Sequence, residues 1–202
     1  RRRFCINAYI YSLLYKPRSA TPLRFCKGNQ KERTVSMEKL TFTPVRTPET
    51  IAQVAALAEE IWTEHYASIL PAEQIRYMVD SFQSAGAIEK QLAHQHYRYY
   101  LVKADGETAG YIGVQPEKGR LFLSKLYLRK AARGRGYARR ILAFLSGFCS
   151  GAGLSALWLT VNRRNTDSIA IYEQMGFVKT REQVADIGNG YVMDDYVMEK
   201  ML

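Results

Sequence analysis

Three consecutive segments limit what this chain can fold into more than any other feature. Residues 120–128 read as a strand. Residues 137–150 place Ala138, Ile141, Leu142, Leu145, Phe148 and Cys149 at the offsets of a helix that packs on one face. Ala156-Leu157-Trp158-Leu159-Thr160-Val161 is then an apolar run of strand length, as expected where both faces of a sheet are covered. Strand, helix and apolar strand in succession predict a parallel crossover, right-handed because a twisted strand feeding a right-handed helix packs back onto the sheet that way.

The flanking segments add antiparallel neighbours. Residues 97–102 and 109–114 are aromatic and β-branched runs separated by a bend at Asp105-Gly106, a hairpin signature. Residues 177–183 and 191–198 predict two last strands, after a helix over 167–175 that Gly176 stops. Near the front, a short strand at 40–46 leads to Thr47-Pro48-Glu49, an N-cap followed by proline at the first helical position. Ile51, Val54, Ala58 and Ile61 carry that helix toward Tyr66, and shorter helices are predicted at 72–82 and 87–94. The expected fold class is mixed α/β, α+β-like: a central, mostly antiparallel sheet with one parallel β-α-β crossover and helices on both faces.

At 202 residues the chain has room for one domain and an appendage. Its net charge of +10 suggests a nucleic-acid partner only until it is divided along the sequence. Residues 1–36 hold nine Lys/Arg against Glu32 alone, whereas residues 37–202 hold 20 bases and 18 acids. The nearly balanced part carries no nucleic-acid signature. Residues 1–36 are expected to lie outside the fold as a basic extension, with Met37 opening the domain over 37–202. No stretch reaches the roughly 18 apolar residues of a membrane-spanning helix, so no membrane partner is expected. Of the three cysteines, Cys5 and Cys26 fall in the extension and Cys149 on an apolar stripe, a usage that suits a reducing cytoplasm. His94 and His96 could share one strand face, but no third ligand accompanies them and no metal is expected.

The chemistry concentrates in Arg129-Lys130-Ala131-Ala132-Arg133-Gly134-Arg135-Gly136-Tyr137-Ala138-Arg139-Arg140, six bases in twelve residues between a strand and a helix. Gly134 and Gly136 permit backbone conformations closed to other residues and let main-chain N–H groups approach a ligand. The first turn of the helix, from Tyr137, adds free N–H donors and the positive end of its dipole, and Arg133, Arg135 and Arg139 add charge. This is a cradle for a phosphate. It is neither a P-loop, which ends in Gly-Lys-Ser/Thr, nor a dinucleotide fingerprint, which needs more glycines in register.

Arg133-x-x-Gly136-x-Ala138 resembles the pyrophosphate motif of the GNAT superfamily of N-acetyltransferases, Gln/Arg-x-x-Gly-x-Gly/Ala, with alanine at the last position where glycine is commoner. Leu126-Tyr127-Leu128 resembles the strand segment whose backbone pairs with the pantetheine arm. Asn165 resembles the asparagine that contacts the cofactor after the next strand, and Tyr172 with Gly176-Phe177 resembles the family's Tyr-x-x-x-Gly-Phe. The resemblance spans residues 40–202 and implies an acetyl-CoA-dependent enzyme whose two parallel strands splay to admit the coenzyme. It implies that Leu126, Tyr127, Leu128, Arg133, Gly134, Arg135, Gly136, Tyr137, Ala138, Arg139 and Asn165 hold the coenzyme, with a backbone N–H near Leu128 polarising the thioester.

By the same resemblance Tyr172, protonated at neutral pH with a reference pKa of about 10, donates to the departing thiolate. Glu64, Asp194, Asp195 and a relaying water are the alternatives for the base. Asp194 and Asp195 are strand neighbours, so at most one of them looks into an acceptor cleft. Residues 61–66 and 191–196 mix aromatic and acidic side chains, which suits a cationic acceptor, and the chain looks most like the diamine and polyamine branch. The acceptor expected is a small-molecule primary amine. Acetylation of a protein N-terminus or lysine, or coenzyme sensing without turnover, are the other functions of such a chain, and a homodimer is compatible with all of them.

Overall fold

The computed structural model describes residues 38–202, so the basic extension lies outside the described residues. The strands are β1 (Leu40–Pro44), β2 (Arg98–Ala104), β3 (Glu107–Glu117), β4 (Arg120–Leu128), β5 (Ala156–Asn162), β6 (Val178–Gly188) and β7 (Tyr191–Met201). They form one sheet in the order β1-β2-β3-β4-β5-β7-β6, antiparallel except for the β4–β5 pair. The helices are α1 (Pro48–Tyr66), α2 (Ala72–Phe82), α3 (Ala85–His94), α4 (Tyr137–Gly151) and α5 (Thr166–Gln174). This is the mixed architecture expected from the sequence, with α4 carrying the crossover.

Local signals explain most of the boundaries. Thr47 caps α1 and exchanges hydrogen bonds with Thr50, and Pro48 occupies the first helical turn. Asp105 and Gly106 take positive φ values of 49° and 91°, the geometry of a tight hairpin turn. Gly176, at φ 88°, ends α5. His94 closes α3 and His96 sits in the connection to β2, so the two do not share a strand face.

Two apolar layers cover the sheet. On one face α4 and α5 bury Ile141, Leu142, Leu145, Cys149, Ile171 and Tyr172 against Leu121, Leu123, Leu126, Leu128, Leu157 and Leu159. On the other face α1–α3 pack Val54, Ile61, Trp62, Tyr66 and Met78 against a row of tyrosines. Tyr97, Tyr99, Tyr111 and Tyr127 stack across the sheet at centroid distances of 5.9, 6.5 and 5.4 Å. Their hydroxyls are tied to the helices: Trp62 Nε1 donates to Tyr111 (3.0 Å), Tyr111 to Gln83 (3.0 Å) and Tyr99 to Gln91 (2.5 Å). A buried polar atom is tolerated only with such a partner, so these bonds fix where α1–α3 sit.

One irregularity sets the course of β4. β3 pairs Gly113 with Lys125 but Val114 with Leu123, so Ser124 is an extra residue in β4. A bulge of this kind bends and twists its strand. Ser124 Oγ accepts from Tyr97 Oη (3.2 Å) and Lys125 Nζ (2.9 Å), which pins the bulge in place. β4 and β5 pair only at Arg120–Ala156, Leu121–Leu157 and Phe122–Trp158, so they part where the bulge begins.

Gly110 in β3 permits the close approach of the β4 end. A Cβ there would collide with the backbone carbonyl of Tyr127 and lie 2.9 Å from Leu128 Cα. Gly110→Ala is therefore expected to cost about 3 kcal/mol in urea unfolding, because backbone cannot move aside as a flexible side chain would.

Candidate active site

Beyond Phe122 the β5-facing edge of β4 has no strand partner. The Arg129 amide bonds Ala109 on the β3 side at 2.9 Å. Alternation along the strand therefore turns the polar groups of Leu126 and Leu128 toward the gap and those of Tyr127 away from it. The Leu128 carbonyl already accepts from Arg133 Nε at 2.9 Å.

The basic loop comes directly after β4. A short 3-10 turn, Lys130–Ala132, is succeeded by Gly134 and Gly136 in the left-handed region, at φ 75° and 76°. Gly136 is the N-cap of α4 and no side chain caps the helix. The first-turn amides of Tyr137, Ala138 and Arg139 are thus turned to whatever lies beyond Gly136, where a Cβ would meet nothing within 4 Å. Backbone donors and open space are what a diphosphate requires.

The arginines divide the work differently from the sequence expectation. Arg133 is only 11% exposed and braces the loop, bonding Leu128 O and pairing with Glu64 at 3.4 Å. Arg129 bridges to Glu60 at 3.0 Å. Arg135 pairs with Glu38 at 3.0 Å, Tyr137 Oη also bonds the Glu38 carboxylate, and Arg140 donates to Glu38 O at 2.7 Å. Arg139 and Lys130 are both exposed. The first residues ahead of β1 therefore anchor the loop, a contact that no local sequence signal announces.

Between the C-terminal end of α1, the loop and the start of α5 lies a cleft of about 450 Å³, lined among others by Glu64, His65, Lys130, Arg133 and Asn165. Asn165 caps α5, its Oδ1 accepting from Ser168 N at 3.2 Å, while its buried Nδ2 has no partner. An unsatisfied buried donor in a cleft wall is costly unless a ligand accepts from it, and the Asn165 amide, the glycine backbone and the strand edge together suit a phosphorylated, amide-bearing coenzyme. Tyr172 lies fully buried in α5, edge-on to Phe177.

The three carboxylates separate clearly. Glu64 lines the cleft but is held by Arg133 and, at 3.8 Å, Lys130. Asp194 points outward and pairs with Arg163 at 3.4 Å. Asp195 is fully buried on the α1 side, opposite Asn162, with its charge felt at Tyr66. His65, a helical turn beyond Ile61 on the buried stripe of α1, is a titrating group that sequence reasoning misses. Burial first, and the neighbouring Arg133 charge second, hold its pKa down to about 3, so the imidazole is neutral at physiological pH. Among the described residues no cluster of three or more His, Cys, Asp or Glu could hold a metal. No described helix is long and apolar enough to cross a membrane.

Residues 54–177 match the acetyltransferase (GNAT) family. An uncharacterized N-acetyltransferase encoded in the pepI 3′ region of Lactobacillus delbrueckii subsp. lactis is 21% identical over 160 residues, 75% of this chain and 92% of that protein. An uncharacterized N-acetyltransferase of Mycobacterium tuberculosis is 24% identical over 151 residues, 74% of this chain and 96% of its own length. Among solved structures, the PaiA N-acetyltransferase of Thermoplasma acidophilum in complex with coenzyme A superimposes with a TM-score of 0.65 at 20% identity, covering 81% of this chain and 99% of that one. A chimera built on the spermidine N-acetyltransferase SpeG of Vibrio cholerae does so with a TM-score of 0.56 at 16% identity, covering 80% and 95%. These likenesses carry the fold.

The depressed His65 pKa has a consequence for stability. Because the unfolded imidazole binds a proton near pH 6.5 and the folded one only near pH 3, acid favours unfolding across that window. Stability should therefore rise with pH up to about 6.5. His65→Gln is expected to flatten that slope by up to about 1.4 kcal/mol per pH unit, read from urea unfolding at about pH 4.5 and 6.5.

Proposed function

The chain belongs to the GNAT acetyltransferase family, and on that footing we propose that it transfers the acetyl group of acetyl-CoA to a primary amine of a small cationic molecule, a diamine or polyamine. The single observation that carries this reading is the parted β4–β5 pair with the uncapped start of α4 beside it. When bound, the coenzyme supplies a thioester, an acyl group already activated for attack.

The chain's own residues supply the rest. The free edge at Leu126 and Leu128 hydrogen-bonds the amide-bearing arm, and the Leu128 N–H polarises the acyl carbonyl, an oxyanion-type role. The amides of Gly134, Gly136, Tyr137, Ala138 and Arg139 hold the diphosphate, Arg139 and Arg135 add charge, and Arg133 keeps the loop fixed to Leu128 O and Glu64. Asn165 Nδ2 donates to the arm. Tyr172, its hydroxyl on the α5 side of the gap, protonates the sulfur as the C–S bond breaks.

Charge distribution supports a cationic acceptor. Residues 48–94, which form the α1–α3 layer, hold seven acids against two Lys/Arg. The loop at 129–140 holds six bases and no acid. One side of the gap favours an anion and the other a cation. A small acceptor also accords with a walled cleft better than a protein segment does.

Thiol release from acetyl-CoA against diamines, polyamines, amino acids and peptides tests the reading, with a diamine or polyamine expected to react fastest. Tyr172→Phe should bind the coenzyme as the native protein does and lose about 100-fold or more in turnover. Gly136→Val should abolish coenzyme binding in calorimetry, since a β-branched residue at φ 76° distorts the cradle.

A further inference from the structure

We infer that Asp195 is the carboxylate that receives the acceptor's ammonium and takes its proton, leaving the amine neutral for attack. The inference rests on the acetyl-transfer reading above and names the group that completes it.

Position singles out Asp195. β5 and β7 pair through Asn162–Asp195, so this aspartate lies at the end of β5 where β4 has already diverged. Its strand neighbours Asp194 and Tyr196 face the opposite side, where Arg163 meets both. Asp195 itself is buried on the α1–α3 face, the acidic side of the molecule, away from the basic loop. Glu64, the other acid near the gap, is committed to Arg133 and Lys130. A buried carboxylate facing a cation-favouring side attracts an ammonium more strongly than a solvated one does.

The neighbours leave this role to Asp195. Tyr66 of α1 feels the Asp195 charge, and Tyr66 Oη and Tyr127 Oη are hydrogen-bonded at 3.3 Å. Burial raises the pKa of both Tyr66 and Tyr127, so each stays a neutral phenol and neither competes with Asp195 for the ammonium's proton.

The step balances. A primary ammonium that becomes an amide loses two protons. Asp195 accepts the first as the nitrogen becomes neutral. The nitrogen lone pair then forms the N–C bond, the C–S bond breaks with its electron pair on sulfur, Tyr172 protonates the sulfur, and the second nitrogen proton passes to water as the net acid released. Transfer of the Asp195 proton to the Tyr172 phenolate through water restores every group.

The test uses the full chain with Asp195→Asn, an isosteric change, and two acceptors: butane-1,4-diamine, protonated at pH 7, and methoxyamine, neutral there. The variant is expected to bind coenzyme A unchanged in calorimetry. It should lose about 100-fold or more in kcat/KM for the diamine, but less than about threefold for methoxyamine. An equal loss for both acceptors would indicate a structural role and overturn the inference, as would no loss for either. If the native protein binds coenzyme A but acetylates no amine, the acetyl-transfer reading itself fails; if the native protein is active and Asp195→Asn is equally so, only Asp195 falls.

Discussion

The parting of β4 and β5 is the constraint on which the rest of this structure depends. Two parallel strands that stay paired to their ends would leave no edge for a ligand, and buried backbone groups must find partners somewhere. Here pairing stops at Phe122–Trp158, and the polar groups of Leu126 and Leu128 face a gap. The cause is local. Ser124 adds a residue to β4, and the hydroxyl of Tyr97 with the ammonium of Lys125 locks the resulting bend.

Both apolar layers are arranged around that gap. The stacked tyrosines and their bonds to Trp62, Gln83 and Gln91 hold α1 against β3 and β4, which brings Glu64 and His65 to the wall of the cleft. On the other face α4 begins with an uncapped turn beside the gap, and α5 presents Asn165 and Tyr172. An acetyltransferase of the GNAT family needs an anion held at one side, a thioester in the middle and an amine at the other. The fold separates charge by face, with six bases in the loop and an excess of acids in the α1–α3 layer.

In the basic loop the glycines and the arginines are placed by different forces. The glycines stand where a cradle needs them, at positive φ. The arginines are mostly engaged: Arg133 with Leu128 O and Glu64, Arg135 with Glu38, Arg129 with Glu60. Their charge still raises the local potential, but their geometry serves the loop first. Glu38 and Glu60 are 97 and 69 residues from their partners, so no window of sequence could have paired them.

Sequence by itself determined the element order, the crossover, the caps at Thr47 and Gly176, the hairpin at Asp105-Gly106 and the glycine-rich basic loop ahead of α4, because each arises from contacts within a few residues. It also held a subtler signal. The inward leucines run 121, 123, then 126, 128, a slip of phase that marks the bulge at Ser124. Tertiary structure alone decided the strand order, the point where β4 and β5 separate, and which of Glu64, Asp194 and Asp195 looks inward. It also brought Tyr66 and Tyr127 into hydrogen-bonding contact from a helix and a strand. Those outcomes depend on groups far apart in the chain that meet only after packing, and sequence periodicity fixes the face a side chain takes without fixing what it will face.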